Sequence, residues 1–318
     1  MDLDVVLNEL SIKATAEDIQ TAQLWMLNLV RTIKTAVQAG ARRVLRSCID
    51  LNSTLLSTNY PIARWRNDPK VDLELRRYFR VLTTHYPPLK DQPALERDIS
   101  LNDFFFMGES ALGLGIAFLL ESLSVSFMSE SRWNRTKIEE IEMQFLQDDG
   151  SMIADKIGVY HASQPKHIEE NSEWIRERLR RGIQSGEDLW SRRGELFPSL
   201  AFCEGVRKII VTLLSGDPLL RQVAKRLFEI EKCCRGWITG AFDTTWLPFK
   251  VTGEHETTLK KYEKERTFFC PGEGKITFKL HGRITPGAWR IYFEPGAKSG
   301  TMYIGYIGPK LPSVDYPT

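Results

Sequence analysis

The side chains best suited to chemistry lie near the end of this 318-residue chain. Lys279, His281 and Arg283 alternate along one run, Arg290 and Tyr292 along the next, and Tyr303 and Lys310 follow in a third. An imidazole titrates close to neutral pH and can take or give a proton, while guanidinium and ammonium groups hold developing negative charge. Such a set can run acid–base chemistry on an anionic substrate. The same residues also fit the solvated outer face of a half-buried antiparallel sheet, which is polar whether or not it reacts.

A second basic set lies in the first third of the chain. Arg64, Trp65 and Arg66 form one group, and Arg76 and Arg77 precede Tyr78 and Phe79. Arg takes phosphate bidentately and aromatic rings stack on bases, so these five residues read as a nucleic-acid surface. The plainer alternative is an exposed charged face whose Trp and Tyr anchor a loop to the core. Arg80 and His85 have the R-x4-H spacing used by HEPN-type ribonucleases, but Pro87 and Pro88 argue against the long helix that holds such a motif. Glu254, His255 and Glu256 put two carboxylates around an imidazole, yet neighbours on a regular element point in different directions, so a solvated loop or helix start is expected. Gly108, Gly113 and Gly115 sit within an apolar helical pattern, which suits close packing rather than a phosphate loop. The five cysteines, at 48, 203, 233, 234 and 270, form no C-x-x-C pair and no zinc spacing, and are expected as buried thiols. No metal or other cofactor is expected.

Three strands must position the C-terminal set. Within 275–283, Ile276, Phe278 and Leu280 alternate with Lys275, Thr277, Lys279, His281 and Arg283, so one face is core and the other cationic. Trp289, Ile291 and Phe293 alternate with Arg290, Tyr292 and Glu294; Pro286 and Gly287 supply a turn before them, and 294–300 a turn after them into a strand at 301–307. On this pattern Lys279, His281, Arg283, Arg290 and Tyr292 share the polar face and Tyr303 does not. Helices are expected at 166–186, 200–214 and 218–237, the last begun by Asp217 as cap and Pro218 at the first helical position. Earlier in the chain the pattern predicts a strand near 2–10, a helix over 16–39 capped by Thr15 and stopped by Gly40, and a strand near 41–50. It then predicts a loop over 52–71, a buried helix within 104–125, a strand near 123–128, and a hairpin of 137–146 with 151–161. The expected fold class is α+β: a mixed helix/strand domain over 1–165, then helices packed on an antiparallel β meander over 166–318.

A net charge of +2 is too small for a protein that coats nucleic acid along its whole surface. Residues 250–318, however, hold eleven Lys and Arg against seven Asp and Glu, an excess of four positive charges where the meander lies. The N-terminus lacks a signal-peptide pattern, and no run approaches the roughly eighteen apolar residues of a membrane span, so a cytoplasmic, reduced protein with no membrane partner is expected.

The α-α-β-β-β order over 200–312, and above all TPGAWRIYFE at 285–294 followed by a turn and the strand at 301–307, resembles the C-terminal half of the RelE/ParE toxin superfamily. Members of the RelE branch cut messenger RNA, often on the ribosome, without a metal. The resemblance covers roughly the last third of the chain. It implies that Arg290 matches the family's strand arginine, and that Tyr303, Tyr306 or Lys310 occupies the region of its acid/base and cationic groups. The implied chemistry is attack of a ribose 2′-hydroxyl on the neighbouring phosphate, with His281 as base or acid, Lys279, Arg283 and Arg290 on the charge, and Tyr292 or Tyr303 stacking a base. The implied setting is a bacterial toxin-like or antiviral-defence effector acting on RNA or another nucleic acid. The alternative is a non-catalytic subunit that binds nucleic acid or protein, within a complex or as a homo-oligomer.

Overall fold

The computed structural model describes residues 3–84, 99, 102–146, 152–284 and 289–314. The protein is α+β, and its contacts divide it into two compact units, Met1–Phe145 with Met152–Gly182 and Leu146–Ser151 with Ile183–Thr318. The division falls at Gly182 because the two helices after residue 164 pack with the first unit.

In the first unit β1 (Val5–Leu7) leads into α1 (Ile19–Gln38), which starts at Asp18 rather than at Thr15: the Asp18 carboxylate accepts from the Thr21 N–H at 2.7 Å. Met26, Leu29, Val30 and Ile33 recur at helical steps and are buried. Gly40 stops the helix with φ at 111°, and a Cβ there would lie 2.4 Å from Leu179, so both backbone and space require glycine. Next come β2 (Leu45–Arg46), β3 (Leu55–Ser57), β4 (Tyr60–Pro61), α2 (Ile62–Trp65) and α3 (Leu73–Thr84). The segment expected as loop thus holds a small hairpin and a helical turn. His85, Pro87 and Pro88 lie outside the described residues.

The apolar stretch in which a buried helix is expected holds β5 (Asn102–Phe106) and β6 (Glu109–Ser110) before the helix α4 (Leu112–Leu119), and β7 (Leu123–Val125) falls within the strand expected near 123–128. Close packing does explain two of its glycines. A Cβ on Gly113 would meet the Leu7 carbonyl at 2.4 Å, and one on Gly115 the Phe104 ring at 2.2 Å. Strands β8 (Lys137–Leu146) and β9 (Met152–Ala162) are neighbours, as expected, and α5 (Pro165–Glu170) and α6 (Ser172–Arg181) follow. The sheet order is β2-β1-β7-β9-β8-β5-β6, with β2, β1, β7 and β9 parallel.

The second unit runs α7 (Gly186–Ser191), α8 (Arg193–Leu196), β10 (Leu200–Phe202), α9 (Val206–Ile210), α10 (Pro218–Gly236), β11 (Val251–Gly253), α11 (Glu256–Lys261), β12 (Thr267–Cys270), β13 (Gly274–Thr277), β14 (Leu280–Ile284), β15 (Trp289–Pro295) and β16 (Met302–Pro309). Helix α10 begins as its sequence dictates, with the Asp217 carboxylate accepting from the Leu219 N–H at 2.8 Å. The expected meander is β14, β15 and β16, set in a five-stranded sheet of order β10-β16-β15-β14-β11. The turn at Pro286 and Gly287 lies outside the described residues.

Three expectations give way here. Residues 200–214 are not one helix: Leu200 and Phe202 pair in parallel with Met302 and Ile304, and only α9 follows. The run 275–283 is not one strand, since β13 pairs with β12 in a separate hairpin while β14 joins the larger sheet. Phe278, at the break, is fully buried. Finally, Cys203 and Cys270 form a disulfide across 67 residues, so the expectation of thiols applies to Cys48, Cys233 and Cys234.

Candidate active site

Direct cross-strand pairing sets His281, Tyr292 and Tyr306 in one row, and Arg283 and Arg290 in the next, all on one face of the sheet. The period-2 alternation of β14 and β15 is enough to put them there. Tyr303 needs something more. Tyr292 pairs with Tyr306 but Phe293 with Ile304, so Gly305 is an extra residue in β16, and this bulge turns Tyr303, opposite Glu294, onto the same face. That corrects the expectation that Tyr303 stands apart. A Cβ on Gly305 would meet the rings of Phe278 at 2.7 Å and Phe268 at 2.8 Å.

Nor is this face the open, wet surface that a half-solvated sheet would present. The β12–β13 hairpin folds over it. Phe268 stacks on Tyr306 with ring centres 6.0 Å apart, and Cys203, Cys270, Phe278, Tyr292 and Tyr303 form a small buried core. Tyr292 is 1% exposed and Tyr303 7%, so neither ring has a face to offer a nucleobase.

The centre of the arrangement is Glu254, a residue expected in a solvated loop or helix start, two positions before α11. It follows β11, donates its N–H to the Lys279 carbonyl at 2.8 Å, and has a side chain only 8% exposed. Its Oε1 accepts from the Tyr292 hydroxyl at 3.0 Å, and lies 3.1 Å from Arg266 Nε and 3.5 Å from His281 Nδ1. Arg266 is fully buried, 5.9 Å over the Tyr292 ring, and donates to the Tyr262 carbonyl at 3.4 Å. Nothing in the sequence singled it out, because it ends a charged run, 260–266, that reads as solvated.

Burial pushes the His281 imidazole down to about 4; Glu254 opposes the shift, and Arg290, Arg266 and Lys310 reinforce it. The ring is therefore neutral at pH 7. Burial, with Glu254 beside it, pushes the Tyr292 phenol up, so it stays protonated and holds the carboxylate. The His281 side chain keeps 17% exposure, Arg283, Arg290 and Lys310 are half-buried, and Lys279 is exposed with its N–H donated to Glu294 Oε2 at 3.1 Å.

No family model matches this chain, and no curated protein or solved structure is similar to it. The chemistry has to be read from the side chains themselves. Among the described residues, no group of three His, Cys, Asp or Glu side chains is placed to hold a metal ion, and no helix is long and apolar enough to cross a membrane.

In the N-terminal basic set the aromatic residues are the anchors that the plainer alternative expected. Trp65 is 1% exposed and packs edge-on against Phe79 at 5.5 Å, so it belongs to the core and cannot stack a base. Arg66 lies 5.1 Å over the Phe79 ring and donates to Asn52 and Thr83, both at 2.6 Å. Arg64 donates to the Asn59 carbonyl at 3.0 Å, Arg76 is half-buried, and Arg77 is exposed. Cations interleaved with aromatics here anchor α2 and α3 to their own unit.

Sequence reasoning also missed a polar network at the carboxyl ends of parallel strands in the first unit. Asn8 follows β1, Ser126 follows β7, and His161 is near the end of β9; all three are fully buried. Asn8 Nδ2 donates to Ser126 Oγ at 3.0 Å, and His161 Nε2 and Nδ1 lie 2.7 Å from Ser126 Oγ and the Arg135 carbonyl. A carbonyl only accepts, so Nδ1 carries the hydrogen and Nε2 accepts from the serine hydroxyl. Burial pushes His161 down to about 3, which keeps the ring neutral inside this network.

Proposed function

We propose that the second unit is a RelE-like, metal-independent endoribonuclease, a toxin or antiviral-defence effector acting on RNA in a bacterial cytoplasm. The observation behind this is that His281, Arg283 and Arg290 share one face beside the Glu254 carboxylate. A neutral imidazole is the form a general base needs, and Glu254, facing Nδ1, leaves Nε2 to take the proton of an attacking 2′-hydroxyl. Arg283 and Arg290 stand directly opposite each other on neighbouring strands. Like charges so placed repel, and a phosphate bound between them would relieve the repulsion and gather charge as the bond to the leaving oxygen breaks. Lys310 adds to the same field, and Lys279 stands at its rim. Of the α-α-β-β-β order on which the resemblance rests, the long helix α10 and the meander β14–β15–β16 are kept, while 200–214, with β10 and only the short α9, departs from it.

The test is incubation of purified protein with total RNA and with ribosomes, in EDTA, comparing wild type with His281→Ala and Arg290→Ala. Cleavage leaving 2′,3′-cyclic phosphate ends is expected, slowed by about 100-fold or more without the imidazole. Intact RNA in every lane, or equal cleavage by both variants, refutes the proposal. Binding without chemistry is the second interpretation, favoured by the complete burial of Arg266 and Tyr292, which lets the Glu254 cluster serve as a clamp between the sheet and Arg266 just before β12. It predicts RNA or a protein partner captured uncleaved.

A further inference from the structure

A cavity of about 610 Å³ opens in the second unit at the end of β10. Trp190, Phe202 and Val211 give it apolar walls, and Cys203 and Pro271 line it where β10 and β12 are joined by the disulfide. A hydrogen bond from the Glu204 N–H to the Phe269 carbonyl, 2.9 Å, ties the same two walls. Arg207 and Lys208, both exposed on α9, line the cavity together with Glu204, so the charged residues of the lining sum to +1. Arg207 also faces Glu187 at 4.0 Å, both largely in solvent. The cavity therefore joins three things: room for a small molecule, a modest preference for an anion, and in its wall Cys203, the half of the disulfide that is not fully buried.

We propose that this cavity is a thiolation site, in which a small anionic thiol exchanges with the Cys203–Cys270 disulfide. The incoming thiolate attacks Cys203 Sγ in line with the disulfide. A bond forms between its sulfur and Cys203, the Cys203–Cys270 bond breaks, and Cys270 leaves as a thiolate that takes up one proton. A second molecule of the thiol then attacks the reagent sulfur of the mixed disulfide, releasing Cys203 as a thiol and the reagent as its oxidised dimer. The small thiol is the only reductant required. The exchange unties β10 from the β12–β13 hairpin, the hairpin that roofs the His281 face, and so couples thiol exposure to access to that face. This does not depend on what reaction the face carries out.

The experiment incubates the oxidised full chain with reduced glutathione, 2-mercaptoethanol or cysteamine at equal thiolate concentration, and locates adducts by peptide mass mapping without reduction. An adduct on Cys203 is expected, forming about threefold faster with glutathione than with the neutral thiol in low salt, the size of one exposed ion-pair interaction. That advantage should vanish in 1 M salt, and cysteamine should be slowest. Arg207→Ala and Lys208→Ala should bring glutathione down to the neutral rate, and Val211→Trp, which fills the cavity, should slow all three thiols. Because the two cations are exposed, their variants decide the matter even if Val211→Trp fails to fold. Equal rates for the three thiols in wild type and variants, an adduct on Cys270 instead, or exchange only at urea concentrations that unfold the unit would overturn the proposal.

Discussion

Glu254→Gln removes a charge from the middle of the second unit while keeping the side chain's shape. The Arg266 side chain is 1% exposed and that of Glu254 8%, so the pair is desolvated on both sides. Breaking a buried pair and leaving one charge uncompensated costs about 3–5 kcal/mol. The glutamine carbonyl can still accept from the Tyr292 hydroxyl, which returns about 1 kcal/mol. The expected loss is therefore about 2–4 kcal/mol, and with a urea slope of about 2 kcal/mol/M the unfolding midpoint falls by about 1–2 M. Hydrogen exchange of amides in β14 to β16, followed across the urea series, assigns the transition to this unit. The double variant Glu254→Gln/Arg266→Met removes both charges and should recover to within about 1 kcal/mol of wild type, because no buried charge is then left uncompensated. In the single variant the His281 imidazole should titrate lower still, since the carboxylate that opposes its shift is gone. A single-variant loss under about 1 kcal/mol, or a double variant no more stable than the single, would show that the carboxylate is not the desolvated centre described above.

Replacing both Cys203 and Cys270 by Ala, or reducing the wild type, should cost about 4 kcal/mol, the loop-closure entropy of a bridge spanning 67 residues; a urea midpoint shifted by less than about 0.5 M contradicts this. Gly305→Ala drives a methyl to 2.7–2.8 Å from the Phe278 and Phe268 rings and should destabilise by about 1–3 kcal/mol in thermal unfolding, whereas Gly205→Ala, where a Cβ meets nothing within 4 Å, carries only the strain of its φ at 97°. His161 and His281 titrate at about 3 and about 4 in the folded chain against an ordinary 6.5. The unfolded chain thus takes up these protons first: stability is complete above pH 6.5 and declines as pH falls toward 4 and then 3. The slope is about 1.4 kcal/mol per pH unit for each histidine. Urea midpoints between pH 7.5 and 4.5 check it, and a profile no flatter in His161→Gln than in wild type removes that residue from the explanation.

Local chemistry was written plainly in the sequence. Asp217 and Pro218 start α10 where they must, Gly40 stops α1, and the alternation in β14 and β15 survives folding because a strand's two faces are set by its own backbone geometry. The same alternation puts His281, Arg283 and Arg290 on one face. Where it broke, the cause was a residue of ambiguous pattern. Leu200-Ala201-Phe202 fits either a helix or a strand, and only pairing with β16 chooses.

What lies above a face is a matter of contacts between distant residues, and no local pattern encodes it. Glu254 and Arg266 looked solvated because each sits in a polar run; the fold of β12 and β13 over the sheet brought them together and removed them from water. Tyr303 changed faces because of one extra residue, Gly305, whose effect depends on what β15 pairs with. Cys203 and Cys270 stand 67 residues apart with no spacing signal, and Trp65 fitted either a stacking platform or a core anchor until Phe79 was set against it. The sequence determined which groups are available and, along each strand, which way they point. The tertiary structure decided which of them lose their water, and that loss makes His281 a neutral imidazole and Glu254 the hub of the site.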